Sequence, residues 1–109
     1  SSGTWPAARA MLPGGLSAVV EAKSTADERF YRDEVPEHQR RHLDQAAAAG
    51  AGTFLALALR TGPTATAFFV PWDCVPWQKA RTAESVTAAD LAPWVIRCWQ
   101  DVGRRLLEP

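Results

Sequence analysis

A helix pattern that starts at Pro36 and stops at Gly50 stands between two apolar runs, residues 16–23 and 53–59. Pro36 suits a first helical turn, where its missing N–H leaves no bond unmade. Gly50, with Gly52 behind it, suits the helix end. Gln39, Leu43, Ala46 and Gly50 share one face, and the alanines let that face approach a sheet closely. His38 and His42 share a neighbouring face. Two strands joined through a helix call for a crossover, so the pattern predicts an α/β chain with the helix packed on the sheet.

The flanking segments extend this plan. Residues 7–12 can form a short strand, and the Pro13-Gly14-Gly15 turn would fold it back on residues 16–23 as a hairpin. Residues 24–34 are polar around Phe30 and Tyr31 and read as a loop with an aromatic plug. After the turn that follows Arg60, residues 67–70 form another strand ending at Pro71. Pro71 and Pro76 then argue against regular structure. Thr87 can cap a short turn leading to Leu91, and residues 95–107 predict a last helix with Val95, Cys98, Trp99, Val102 and Leu106 inward. No repeat and no linker divides the chain. The expected architecture is one α/β domain over residues 1–109, a central mixed β-sheet flanked by helices.

Composition narrows the function classes. The chain has 109 residues, 47% hydrophobic and 22% charged, which suits one core. Twelve basic and twelve acidic side chains cancel, so contact with nucleic acid needs a local patch. Arg40 and Arg41, with Arg29 and Arg32 nearby, could form one; a solvated helix face accounts for them equally well. Cys74 and Cys98 have neither CxxC spacing nor paired histidines, which favours free thiols over a disulfide or zinc site. No apolar run could span a bilayer and no secretory pattern opens the chain, so the expectation is a cytoplasmic protein. The five tryptophans read as core and dimer-contact residues.

Glu21-Ala22-Lys23 closes the first apolar run. On a strand, residues two apart share a face. Glu21 could then ligate a hard divalent cation with help from the Ala22 carbonyl, while Lys23 steadies charge growing on a phosphate. The same tripeptide is more commonly an exposed ion pair.

Its surroundings add weight. "VVEAKST", the polar stretch around Phe30, "VPEHQRRHL", a small-residue helix ending in "GAG", and "TFLALAL" together resemble the RecU-like Holliday junction resolvases of the PD-(D/E)xK, restriction-endonuclease-like nuclease superfamily. The resemblance runs over residues 14–75. It implies a restriction-endonuclease-like core and an endonuclease of bacterial or phage type. Such a dimer would cut four-way DNA junctions with Mg²⁺ or Mn²⁺. On this chain it makes Glu21 a metal ligand, Lys23 the catalytic lysine and Gln39 a residue that orients water or substrate. It also places Ser24, Thr25, His38, Arg40 and Arg41 against DNA.

The family pattern also asks for an aspartate on the preceding strand, yet residues 1–20 hold no acid. A gap-free register puts Ala8, or else Ala7, in its place. Three explanations stand. An aspartate was exchanged for alanine to trap a substrate complex, the reading that "PAAR" beside "PADR" favours; the chain is a natural binder that has lost cleavage; or Asp27, Glu28, Asp33 or Glu34 substitutes. The family's N-terminal helix with a further acid is not evident either. One carboxylate and a carbonyl would hold Mg²⁺ poorly. The expected function is therefore a Holliday junction resolvase disabled by the missing acid. The alternatives are a non-catalytic module that binds branched DNA or protein, and another nuclease of the superfamily.

Overall fold

The computed structural model describes residues 17–80 and 82–97 in full, and residues 2–4 and 8–11 as strand backbone. The strand β3 (Ser17–Thr25) forms the centre of the main sheet. Along one edge it pairs antiparallel with β1 (Ser2–Thr4) and β2 (Ala8–Met11). Along the other it pairs parallel with β5 (Gly52–Thr61), which pairs antiparallel with β6 (Thr64–Pro71). The sheet is mixed, as expected, and α1 (Glu37–Ala48) lies in the connection between the two parallel strands.

Local chemistry sets these boundaries. Pro36 is the residue before the first helical turn. At the other end Gly50 takes φ 89°, its N–H donates to the Ala47 carbonyl at 3.0 Å, and the Ala51 N–H donates to the Ala46 carbonyl at 3.0 Å. That pair of bonds is a Schellman closure, which needs the left-handed conformation glycine adopts without strain. Gly62, at φ 67°, is the first central residue of the two-residue turn between the paired Thr61 and Thr64. A primed turn of this kind matches the twist of the strands it joins.

One face of the sheet carries the main core. Val19, Leu55, Leu57, Leu59, Phe68 and Val70 are buried there with Leu43 of α1. Burying one such leucine contributes about 1.5–3 kcal/mol. On the opposite face a smaller cluster joins Ala18, Phe54 and Phe69, the two rings stacked with centroids 4.7 Å apart.

Three expectations require correction. The polar stretch after β3 is not simply a loop: β4 (Arg29–Tyr31) pairs with β7 (Ser85–Thr87) in a separate antiparallel ribbon. Phe30 and Val86 stand opposite each other, both fully buried, so the plug is Phe30 alone; Tyr31 is 52% exposed. Residues after Pro71 are also more ordered than two prolines suggest. Pro76 opens the short helix α2 (Pro76–Lys79), as a proline can at a first helical position. Thr87 does cap α3 (Ala88–Leu91), its N–H donating to Asp90 Oδ2 at 2.8 Å. Finally, the last helix does not begin at Val95, which forms an isolated bridge with Phe68 while the Ile96 N–H donates to the Ala67 carbonyl at 2.9 Å. The remainder of that expected helix, with Cys98, Trp99, Arg104 and Arg105, lies outside the described residues, as does Trp5. Trp72 and Trp77 are core residues, and Trp94 packs half-buried against the core cluster.

Candidate active site

Strand alternation puts Glu21 and Lys23 on one face of β3, beside Leu55 and Leu57 of β5. That is the face covered by α1, so both side chains are interior: Glu21 is 1% exposed and Lys23 2%. Lys23 Nζ lies 3.4 Å from Glu21 Oε1 and donates to Gln39 Oε1 at 2.7 Å. Gln39 sits in the first turn of α1 and reaches the strand because it shares the helix face of Leu43, which anchors in the core. The three residues singled out for chemistry thus meet in one place.

The energetics are unusual for a purely structural pair. Desolvating a carboxylate and an ammonium costs several kcal/mol each, of order, before their attraction offsets it. Neither carboxylate oxygen of Glu21 has a hydrogen-bond partner. A buried acceptor left so is costly, and such groups in native structures call for a ligand, an ion or a catalytic role. Among the described residues the ladder with β2 ends at Val20 and the ladder with β1 begins at Lys23.

The remaining expected site residues divide. Thr25 lies on the Glu21 face, buried, its Oγ1 accepting from the Asp27 N–H at 3.2 Å; Ser24 lies on the opposite face. His38 is exposed on α1 and does not join the buried group. Arg40 bonds the Arg32 carbonyl at 3.3 Å and Asp33 Oδ1 at 3.2 Å, and Arg41 bonds Glu37 Oε1 at 3.0 Å, both on the outer flank of the helix. Arg29 donates to Ser85 Oγ at 2.7 Å on the ribbon.

The position for a second acid is set by register. Ala8 stands opposite Val20, and cross-strand partners share a face, so position 8 belongs to the face away from Glu21 and Lys23. Ala7 lies outside the described residues. Two of the remote carboxylates are engaged elsewhere, Asp33 with Arg40 and Glu34 Oε2 accepting from the Tyr31 N–H at 2.8 Å, and Asp27 and Glu28 are exposed. Among the described residues no three His, Cys, Asp or Glu side chains form a metal-binding group. A single carboxylate with free oxygens does not fit Mg²⁺ by itself, since that ion demands an octahedron of oxygens.

Sequence reasoning missed Asp44. It is the common acceptor of Trp72 Nε1 at 2.8 Å and Gln78 Nε2 at 3.0 Å, tying the outer flank of α1 to the chain after β6. Its position seven residues after Glu37 marks a shared helix flank, but nothing local announces partners that distant. Cys74 is a half-buried free thiol whose pKa is raised by burial and by the neighbouring Asp73 charge, against a smaller lowering by Lys79.

The fold has a solved counterpart. Hjc, a Holliday junction resolvase from the archaeal hyperthermophile Archaeoglobus fulgidus, aligns with TM-score 0.53 and 19% identity over 83% of this chain and 67% of that one. The fold is restriction-endonuclease-like. At this identity the likeness is one of fold alone, and it does not single out the RecU-like group. Neither a protein-family model nor a curated protein sequence matches the chain. Among the described residues no helix is long and apolar enough to cross a membrane.

Proposed function

We propose that this chain is a resolvase-type nuclease domain that engages branched DNA at Glu21, Lys23 and Gln39, and that cuts only when a second carboxylate stands beside Glu21. The observation that carries this reading is the interior Glu21–Lys23 pair, held to the head of α1 by the 2.7 Å bond to Gln39. The resolvase fold of the structural neighbour supports the choice of substrate class.

Each residue has a role in this reading. The Lys23 ammonium donates to a non-bridging oxygen of the scissile phosphodiester and steadies the charge that grows there. Gln39 fixes the ammonium's direction and is the group that can turn to a water or a phosphate oxygen. Glu21, completed by another acid and the Ala22 carbonyl, would hold Mg²⁺ or Mn²⁺; the described residues alone do not, and no step is derived through the ion. Thr25 borders the site on the same face, and Arg40 and Arg41 meet backbone phosphates beside it. His38 and Ser24 lie outside the buried group, where they face DNA from the rim. Since the pair is closed to solvent here, substrate reaches it only after the cover over β3 moves aside. A four-way junction presents two equivalent strands, which a symmetric homodimer would meet with two equivalent centres.

A second reading, binding of branched DNA without cleavage, is favoured by the lack of a three-acid group among the described residues. One experiment separates the two. The protein is mixed with a four-way junction and with linear duplex, in Mg²⁺ and in Ca²⁺. Paired symmetric nicks in Mg²⁺ alone show an enzyme; selective retention of the junction without nicks shows a binder; equal indifference to both DNAs overturns both readings.

A further inference from the structure

Four buried side-chain atoms among the described residues have no hydrogen-bond partner: the two Glu21 oxygens and two donors, Arg32 Nε and Trp77 Nε1. Both orphaned donors belong to residues that line a single cleft of about 550 Å³. The cleft lies between the outer flank of α1, the 3-10 turn Arg32–Glu34, and α2. Arg40 and Arg41 line it as well.

One oxygen of each carboxylate in its wall is already engaged. Asp44 takes the Trp72 and Gln78 donors, and Glu37 takes Arg41. The donors are not used up. Among the described residues the carboxylate that Arg32 Nε approaches is Asp33, at 3.7 Å, beyond hydrogen-bond reach. Trp77 is 4% exposed and its N–H meets no acceptor. Arg40 is held by a carboxylate, Asp33, that is largely exposed, and pairs with an exposed partner contribute little to stability. Three guanidinium groups line the cleft beside two carboxylates, each with one oxygen engaged, while Asp33 pairs with Arg32 and Arg40 from outside the lining. The complement of such a wall is an anion with several acceptor oxygens, which guanidinium groups bind in paired fashion.

We infer that this cleft is a phosphate-binding subsite, filled by a backbone phosphate of the same nucleic acid whose scissile linkage would lie at Glu21 and Lys23. The assignment to nucleic acid rests on the function proposed above. Gln39 and Arg40 are adjacent on α1 but project from different faces, one into the buried site and one onto the cleft wall. One helix therefore registers two phosphates of the bound DNA at once, and the subsite positions substrate without touching the reacting atoms.

The test uses the full chain labelled with nitrogen-15. The Trp77 indole N–H resonance, assigned with Trp77→Phe, is followed as inorganic phosphate is added. The expected result is a saturable shift in the millimolar range that disappears in Arg32→Gln, while circular dichroism shows both variants folded. In parallel, the salt dependence of binding to a four-way junction is compared between the parent and Arg32→Gln, with an expected fall in slope of about 1. No indole shift overturns the subsite. A shift with an unchanged salt slope overturns its assignment to nucleic acid. If the parent binds no DNA, the fault lies with the Glu21–Lys23 reading, and the indole titration still decides the cleft.

Discussion

Gln39 Oε1 accepts from Lys23 Nζ at 2.7 Å, and this bond joins the central strand to the head of the crossover helix in the protein interior. Replacing Gln39 with leucine would leave the ammonium facing only Glu21, at 3.4 Å. The expected loss is about 1–3 kcal/mol, the cost of an orphaned buried donor, read from urea unfolding.

The ion pair itself predicts strong non-additivity. Lys23→Met would strand a buried carboxylate and should cost about 3–5 kcal/mol, whereas Glu21→Leu combined with Lys23→Met should fall within about 1 kcal/mol of the parent or above it. A double variant that is less stable than either single one would show that the pair stabilises the fold, and would remove the argument that it is kept for chemistry.

Register makes a sharper prediction about the missing acid. Position 8 lies on the Val20 face, so Ala8→Asp is expected to leave the protein unable to cut. The gap-free alignment leaves position 7 as the other candidate, so Ala7→Asp is the change expected to bring on Mg²⁺-dependent nicking of a four-way junction. Nicking by the position-8 variant instead would mean that the ladder with β3 is shifted by one residue.

Gly50→Ala tests the helix stop. A methyl group there would meet nothing within 4 Å, so only the backbone conformation at φ 89° opposes it. The left-handed region costs an L-residue about 1–2 kcal/mol, and the thermal midpoint should fall accordingly.

Cys74 predicts a chemical behaviour. Its raised pKa leaves little thiolate at neutral pH. In a Cys98→Ser background, iodoacetamide should label Cys74 more slowly than a free cysteine peptide at pH 7.5, and the rate should still be climbing where the peptide's has levelled off.

The crossover was legible in the sequence because its signals are local. Proline before the helix, glycine after it, alanines on one face and two apolar runs each act within a few residues. The shared face of Glu21 and Lys23 was legible for the same reason, since alternation along a strand needs no partner. The ribbon between β4 and β7 was not legible, because two three-residue strands carry no period and their stability comes from burying Phe30 against Val86 across the chain. The separation of Thr25 from Ser24 needed only parity; the face that Ala8 occupies needed the cross-strand register. Whether the acid–lysine pair would be a solvated surface pair or an interior one was likewise decided by packing. The residues that close over it, on α1 and beyond, come from distant parts of the chain, and burial is a property of where the chain returns, which no short window of sequence contains.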